Sequence, residues 1–156
     1  MTRYFEDLDV GDVFEAGSYT LTGDEIVEFA ERFDPQPFHT DEAAAEGSMF
    51  GELVASGLHT MCIASKLTVE GPFDDIANMG GRGMDSLRFF RPVLPGDTLA
   101  VEIEVVEKSR ADRHPERGDV TFEQRVRNDD GDPVLSLLLY SIVRRRPETS
   151  SPRASE

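Results

Sequence analysis

Hydrophobic and polar positions change period along the chain. A short strand or hairpin is expected from about Val13 to Thr20. Ile26, Phe29, Ala30 and Phe33 then recur at helical spacing and give one apolar face. Thr22-Gly23-Asp24-Glu25 precedes them and reads as a capping box. The predicted helix ends at Asp34, because Pro35 disfavours the α conformation in the residue before it. Asp41 to Glu46 predicts a short helix, with two acids at the positive end of its dipole. A longer helix is predicted from near Gly57 to about Val69. Its Leu58, Met61, Cys62, Ala64 and Leu67 cover much of the circumference, the pattern of a buried helix.

After Gly71-Pro72 the period falls to two. Strands are predicted at about Met79 to Phe90, Thr98 to Lys108, Val120 to Arg127 and Pro133 to Arg144. Val101-Glu102-Ile103-Glu104-Val105 puts its apolar side chains on one face and its acids on the other. Asn128 to Asp132 predicts a hairpin turn. Helices first and antiparallel strands after argue an α+β fold, a single domain over 1–146 with a disordered tail over 147–156. A curved sheet wrapped around the central helix would bury it. Such a sheet leaves an edge strand exposed, and pairing that edge with a second copy would make a homodimer.

Thirty-one acids face 16 lysines and arginines, a formal net charge of −15, and only Lys66 and Lys108 are lysines. This argues against nucleic acid, which needs a basic face, and against an anionic membrane surface. Two readings of the charge fit: a surface adapted to high salt, or an ordinary acidic protein. The single cysteine, Cys62, excludes an internal disulfide and is expected to be a buried structural thiol. No apolar stretch is long enough to span a bilayer. Met1 to Asp7 lacks the pattern of a signal peptide, so the expected location is cytoplasmic.

The candidate chemistry lies in Phe33-Asp34-Pro35-Gln36-Pro37-Phe38-His39. Asp34 and Gln36 each precede a proline, which predicts a stiff bent loop and no helix. An acid and an imidazole held on such a loop suit proton transfer to and from one water. A turn-capping aspartate and an ordinary loop histidine fit the same residues. Gly57 opens the long helix, so its N–H is free of intrahelical bonds and faces the positive end of the dipole. A glycine that merely permits a tight helix entry fits as well. His59 is read as a core or supporting residue. Gly80-Gly81-Arg82-Gly83 leads into a strand, so it is no phosphate loop, and it predicts close backbone approach instead. There is no zinc-ligand pattern.

The run from Phe33 to Asp41 resembles the Asp-x-Asn-Pro-x-His motif of the MaoC-like family, the (R)-specific enoyl-CoA hydratases. Leu53-Val54-Ala55-Ser56-Gly57-Leu58 resembles the family's entry into its central helix. The run from Leu87 to Leu99, with its Pro-Gly-Asp turn, resembles the strand, turn and strand that follow. The likeness covers about Phe5 to Arg144. It implies a single hotdog domain, a homodimer, and reversible addition of water to a trans-2-enoyl-CoA without metal or other cofactor. It assigns Asp34 and His39 to the water, the Gly57 N–H to the thioester oxygen, and Ser65 to orienting His39. A small polar residue packed in the helix fits Ser65 equally. Two positions depart from the family: Gln36 stands for its Asn, and Ser56 for its His before the glycine. Both are expected to support the dyad, Ser56 as a helix cap. An anionic CoA ester would call for arginines, with Arg82, Arg88 and Arg91 as candidates. A hotdog thioesterase, or a non-catalytic acyl-CoA-binding subunit, remain the alternatives.

Overall fold

The structure, a computed structural model, describes residues 1–148. The tail expected over 147–156 therefore lies, from residue 149 onward, outside the described residues. Five strands form one antiparallel sheet: β1 (Val13–Thr20), β2 (Asn78–Phe89), β3 (Thr98–Arg110), β4 (Arg117–Arg127) and β5 (Pro133–Arg144). Their order across the sheet is β1-β3-β4-β5-β2. The helices are α1 (Gly23–Phe33), α2 (Pro37–Thr40), α3 (Glu42–Glu46), α4 (Gly57–Glu70) and α5 (Pro72–Asp75).

The period-two reading of β3 and β4 accounts for the core. Leu99, Val101, Ile103 and Val105 of β3 are buried, as are Val120, Phe122 and Val126 of β4. On the opposite face Arg125 donates to Glu102 and Glu104, at 2.9 and 3.1 Å. The buried face carries α4, whose Ile63, Ala64 and Leu67 join the larger core cluster with Leu99, Val101 and Leu135. One polar residue pins helix to sheet: Gln124 donates to the Thr68 hydroxyl at 2.8 Å and to the Ala64 carbonyl at 3.2 Å. Both partners sit inside the core, so the amide is satisfied where it is buried.

Several expectations are corrected. A helix turn, α2, occupies the second half of the supposed loop, because Pro37 stands at its first position, where a fixed φ and a missing N–H cost nothing. The capping box at Thr22 is half formed. Thr22 accepts from the Glu25 N–H, while the Glu25 carboxylate accepts from Tyr19 Oη at 2.8 Å. Phe33 is exposed, its ring tilted against Phe29. The helix α4 is not buried all round. A single sheet covers one side, so His59, Thr60, Ile63, Ala64, Leu67 and Thr68 are buried while Leu58, Cys62, Ser65 and Val69 face outward. Cys62 is thus exposed. Gly80 and Gly83 take positive φ at two register shifts in the edge strand β2, where an added Cβ would meet no atom of the described chain closer than 4 Å.

Candidate active site

Asp34 caps the C-terminus of α1, its N–H donating to the Ala30 carbonyl at 2.8 Å. Pro35 then sends the chain away, and Pro37 starts the single turn that carries His39. This turn is stitched to the segment before α4. The Val54 N–H donates to the Phe38 carbonyl at 3.3 Å, and His39 Nδ1 lies 2.6 Å from the Val54 carbonyl. A carbonyl can only accept, so Nδ1 carries a hydrogen, and whenever the ring is neutral Nε2 is the nitrogen that presents a lone pair. Nε2 faces Asp34 Oδ2 at 3.5 Å.

The carboxylate of Asp34 is itself held by donors. Ser56 Oγ donates to Oδ2 at 2.7 Å and Gln36 Nε2 donates to Oδ1 at 2.8 Å. The Ser56 bond is the largest influence on its acidity. Together with Gln36 and His39 it outweighs burial and holds the carboxyl below its ordinary value of 3.8. Ser56 also caps α4 by accepting the Leu58 N–H at 3.2 Å. Gly57 follows, and its own N–H has no protein acceptor among the described residues.

Asp34, His39, Ser56 and Gly57 line one cavity of about 470 Å³. Its other walls are mostly apolar, with Phe38, Phe50, Leu87, Phe89 and Val134 among them. The arrangement can orient a water between two acceptors and offers a free N–H at a helix N-terminus to developing negative charge. Among the described residues no group of three His, Cys, Asp or Glu side chains is placed to hold a metal ion. No described helix is long and apolar enough to cross a membrane.

The other expected site residues fall elsewhere. Ser65 is exposed and does not line the cavity, so it cannot orient His39 in this arrangement. Arg82 pairs with Asp119 at 3.1 Å, and Arg88 is exposed on β2; neither lines the cavity. Arg91 does line it and pairs with Asp132 at 3.4 Å. Sequence reasoning missed Thr60, a buried residue one turn beyond Gly57 on the cavity wall. Its spacing of three from Gly57 was the available signal. It also missed the Val54 carbonyl that fixes the tautomer of His39, a backbone contact that leaves no mark on residue identity.

The model of the MaoC like domain matches residues 8–127. The uncharacterized protein YdeM of Bacillus subtilis is 38% identical over 105 residues, which cover 66% of this chain and 73% of that protein. A MaoC-like dehydratase from Rhodospirillum rubrum superposes with a TM-score of 0.84 at 37% identity, covering 94% of this chain and 99% of that one. The unliganded R-hydratase PhaJ1 of Pseudomonas aeruginosa does so with a TM-score of 0.71 at 27% identity, covering 98% and 96%. On the matched domain and on these likenesses, the chain belongs to the MaoC-like dehydratase family and has its hotdog fold.

Proposed function

We propose that this protein is an (R)-specific enoyl-CoA hydratase/dehydratase that adds water reversibly to a trans-2-enoyl thioester. One observation carries the reading: Asp34 Oδ2 and His39 Nε2, both acceptors when the imidazole is neutral, face each other at 3.5 Å in the cavity that Gly57 also lines. Two acceptors cannot bond to each other. A water can satisfy both, giving one hydrogen to each and leaving an oxygen lone pair for the substrate.

In hydration that oxygen bonds to the β-carbon as the C=C π pair moves toward the thioester. The resulting enolate oxygen takes the Gly57 N–H, supported by the α4 dipole. The water's proton passes to His39 Nε2 and from there to the α-carbon on the same face. Dehydration runs these steps in reverse. The apolar walls suit an acyl chain. A homodimer belongs to the same reading. The edge strand β2 and the outward side of α4 expose Met79, Met84, Leu58 and Val69, apolar surface that a second copy would cover. The thioesterase alternative loses support, because Glu52, the other acid near the start of α4, is exposed and outside the cavity.

The test is loss of enoyl absorbance with crotonyl-CoA and a panel of longer and carboxylated enoyl-CoAs, at low and at molar KCl, with the product's configuration read by an (R)-specific 3-hydroxyacyl-CoA dehydrogenase. Formation of the (R)-product supports the reading. A folded protein that hydrates none of the panel refutes it.

A further inference from the structure

The geometry points to Ser56 as a positioning residue that clamps the Asp34 carboxylate to the first turn of α4, so that the water-binding and oxyanion-binding halves of the cavity form one unit. The inference rests on the hydratase reading above and adds to it a division of labour between Asp34 and His39.

Ser56 is fully buried. Its oxygen accepts the Leu58 N–H at 3.2 Å, and its one hydrogen goes to Asp34 Oδ2 at 2.7 Å. The serine therefore ties the end of α1 to the start of α4, across 22 residues of sequence. Asp34 otherwise hangs from a helix end where the chain turns away at Pro35, with side-chain rotation to restrain. A carboxylate has about four lone-pair positions. Gln36 takes one on Oδ1 and Ser56 takes one on Oδ2. The remaining Oδ2 position faces His39 Nε2. Donors from serine, glutamine and water together favour the ionised carboxylate. Asp34 thus fixes and polarises the water without taking its proton, and His39 Nε2 is the only site in the pair that stores it. Gly57 is the next residue after Ser56. Any rotation of the carboxylate that keeps the Ser56 bond must move the N-terminal turn with it, and this couples the attacking water to the oxyanion donor.

The test compares wild type with Ser56→Ala, Ser56→Thr and Gln36→Ala. It uses crotonyl-CoA kinetics across pH, and the ¹³C NMR titration of the Asp34 side-chain carboxyl, assigned by its disappearance in Asp34→Asn. For Ser56→Ala we expect kcat to fall about 10- to 100-fold, the range for losing a hydrogen bond to a charged group, with KM changed far less. The Asp34 titration should move to higher pH. Ser56→Thr, which keeps the hydroxyl, should restore both. Gln36→Ala alters an exposed side chain and should move the titration in the same direction by less.

If Ser56→Ala loses activity while the Asp34 titration stays put, the serine is only a helix cap and the clamp is overturned. Full activity in Ser56→Ala overturns it too. If Ser56→Ala does not fold, Ser56→Gly decides, since glycine is tolerated at an N-cap and also lacks the hydroxyl, and an unmoved Asp34 titration there overturns the clamp. If wild type hydrates no substrate, the hydratase reading fails, and the NMR titration alone still tells whether Ser56 holds the Asp34 carboxylate.

Discussion

The ring of Phe89 occupies the space that a Cβ on Gly57 would need; an added methyl would lie 2.5 Å from Phe89 Cε1. Phe89 stands near the end of the edge strand β2 and is 55% exposed, so its ring can swing away. Gly57→Ala should therefore fold, with the better helix propensity of alanine offsetting the local displacement. Turnover is another matter, because the methyl and the displaced ring crowd the free Gly57 N–H. Removal of an oxyanion donor costs about 10²- to 10³-fold, and crowding one should cost about tenfold or more in kcat/KM. Thermal unfolding beside crotonyl-CoA kinetics checks this. Wild-type turnover in Gly57→Ala would remove the glycine N–H from the mechanism.

Asp34→Asn and His39→Gln should each lower hydration by about 10²- to 10⁴-fold, the usual contribution of a positioned acid–base group. The asparagine offers the water a weaker, uncharged acceptor. The glutamine cannot store a proton. Because both residues hold the same water, the double variant should lose little more than the worse single variant. Additive losses in that cycle would mean that the two side chains act at separate points.

Much of this site was legible because its signals are local. Pro35 fixes where α1 stops, and residue identity alone reports that, whereas the turn that Pro37 starts reads as loop in the sequence because a proline fits a helix's first position as well as a bend. The strands were legible from alternation. The outward face of α4 was not, since a count of apolar residues does not say which side a sheet covers. Ser65 shows the limit of carrying over a motif position. Eight residues at about 100° each place it roughly 80° around the helix from Gly57, whereas Thr60 lies roughly 60° around in the other direction, on the cavity wall. The bond from Ser56 to Asp34 joins residues 22 apart in sequence, a tertiary fact that no short window of sequence contains.

Gly118→Ala should destabilise the fold without touching the chemistry. Gly118 lies on the buried face of β4, where an added Cβ would come within 2.9 Å of Phe5 Cγ. Phe5 is buried in the second core cluster with Leu8, Ile76 and Phe122, and the Lys108 ammonium sits 4.3 Å from its ring centre. Because the clash reaches the root of the ring, rotation cannot relieve it. The expected cost is about 1–3 kcal/mol, read as a lower urea midpoint, with kcat unchanged below the transition. An unaltered midpoint would mean that the N-terminal segment carrying Phe5 docks only loosely on β4.

Stability should fall on mild acidification, and His59 should be the cause. Its ring is buried, stacked on Phe29 at 4.4 Å, and its Nδ1 has no partner. Burial holds its pKa below the ordinary 6.5, with Glu25 opposing in part. The unfolded chain takes up this proton as pH drops through about 6.5, while the folded chain refuses it until lower pH. Stability is thus complete above 6.5 and is lost below it, by up to about 1.4 kcal/mol per pH unit, until the folded pKa is reached. Asp34 acts in a separate window. Its depressed pKa contributes stability that is lost only as pH falls below 3.8. His59→Phe should flatten the urea midpoint between pH 7 and pH 5 while leaving the lower window in place. An unchanged slope would assign the loss to another group.

The net charge of −15 leads to the last prediction. Acids crowd even the ordered surface: a single arginine, Arg125, serves Glu102, Glu104 and Glu123 on the outer face of the sheet. Excess like charge repels itself in the compact state more than in the expanded chain. At low salt this repulsion reaches across the molecule, since the Debye length is about 30 Å at 0.01 M, and it shrinks to about 3 Å at 1 M. Added KCl should therefore raise Tm, most steeply at the low end. The partly buried Arg125 cluster weakens less than fully exposed pairs, so it should not cancel the gain. Screening is indifferent to the cation. NaCl at equal ionic strength should then give the same curve, whereas a Tm that rises with KCl and not with NaCl would point to bound potassium instead.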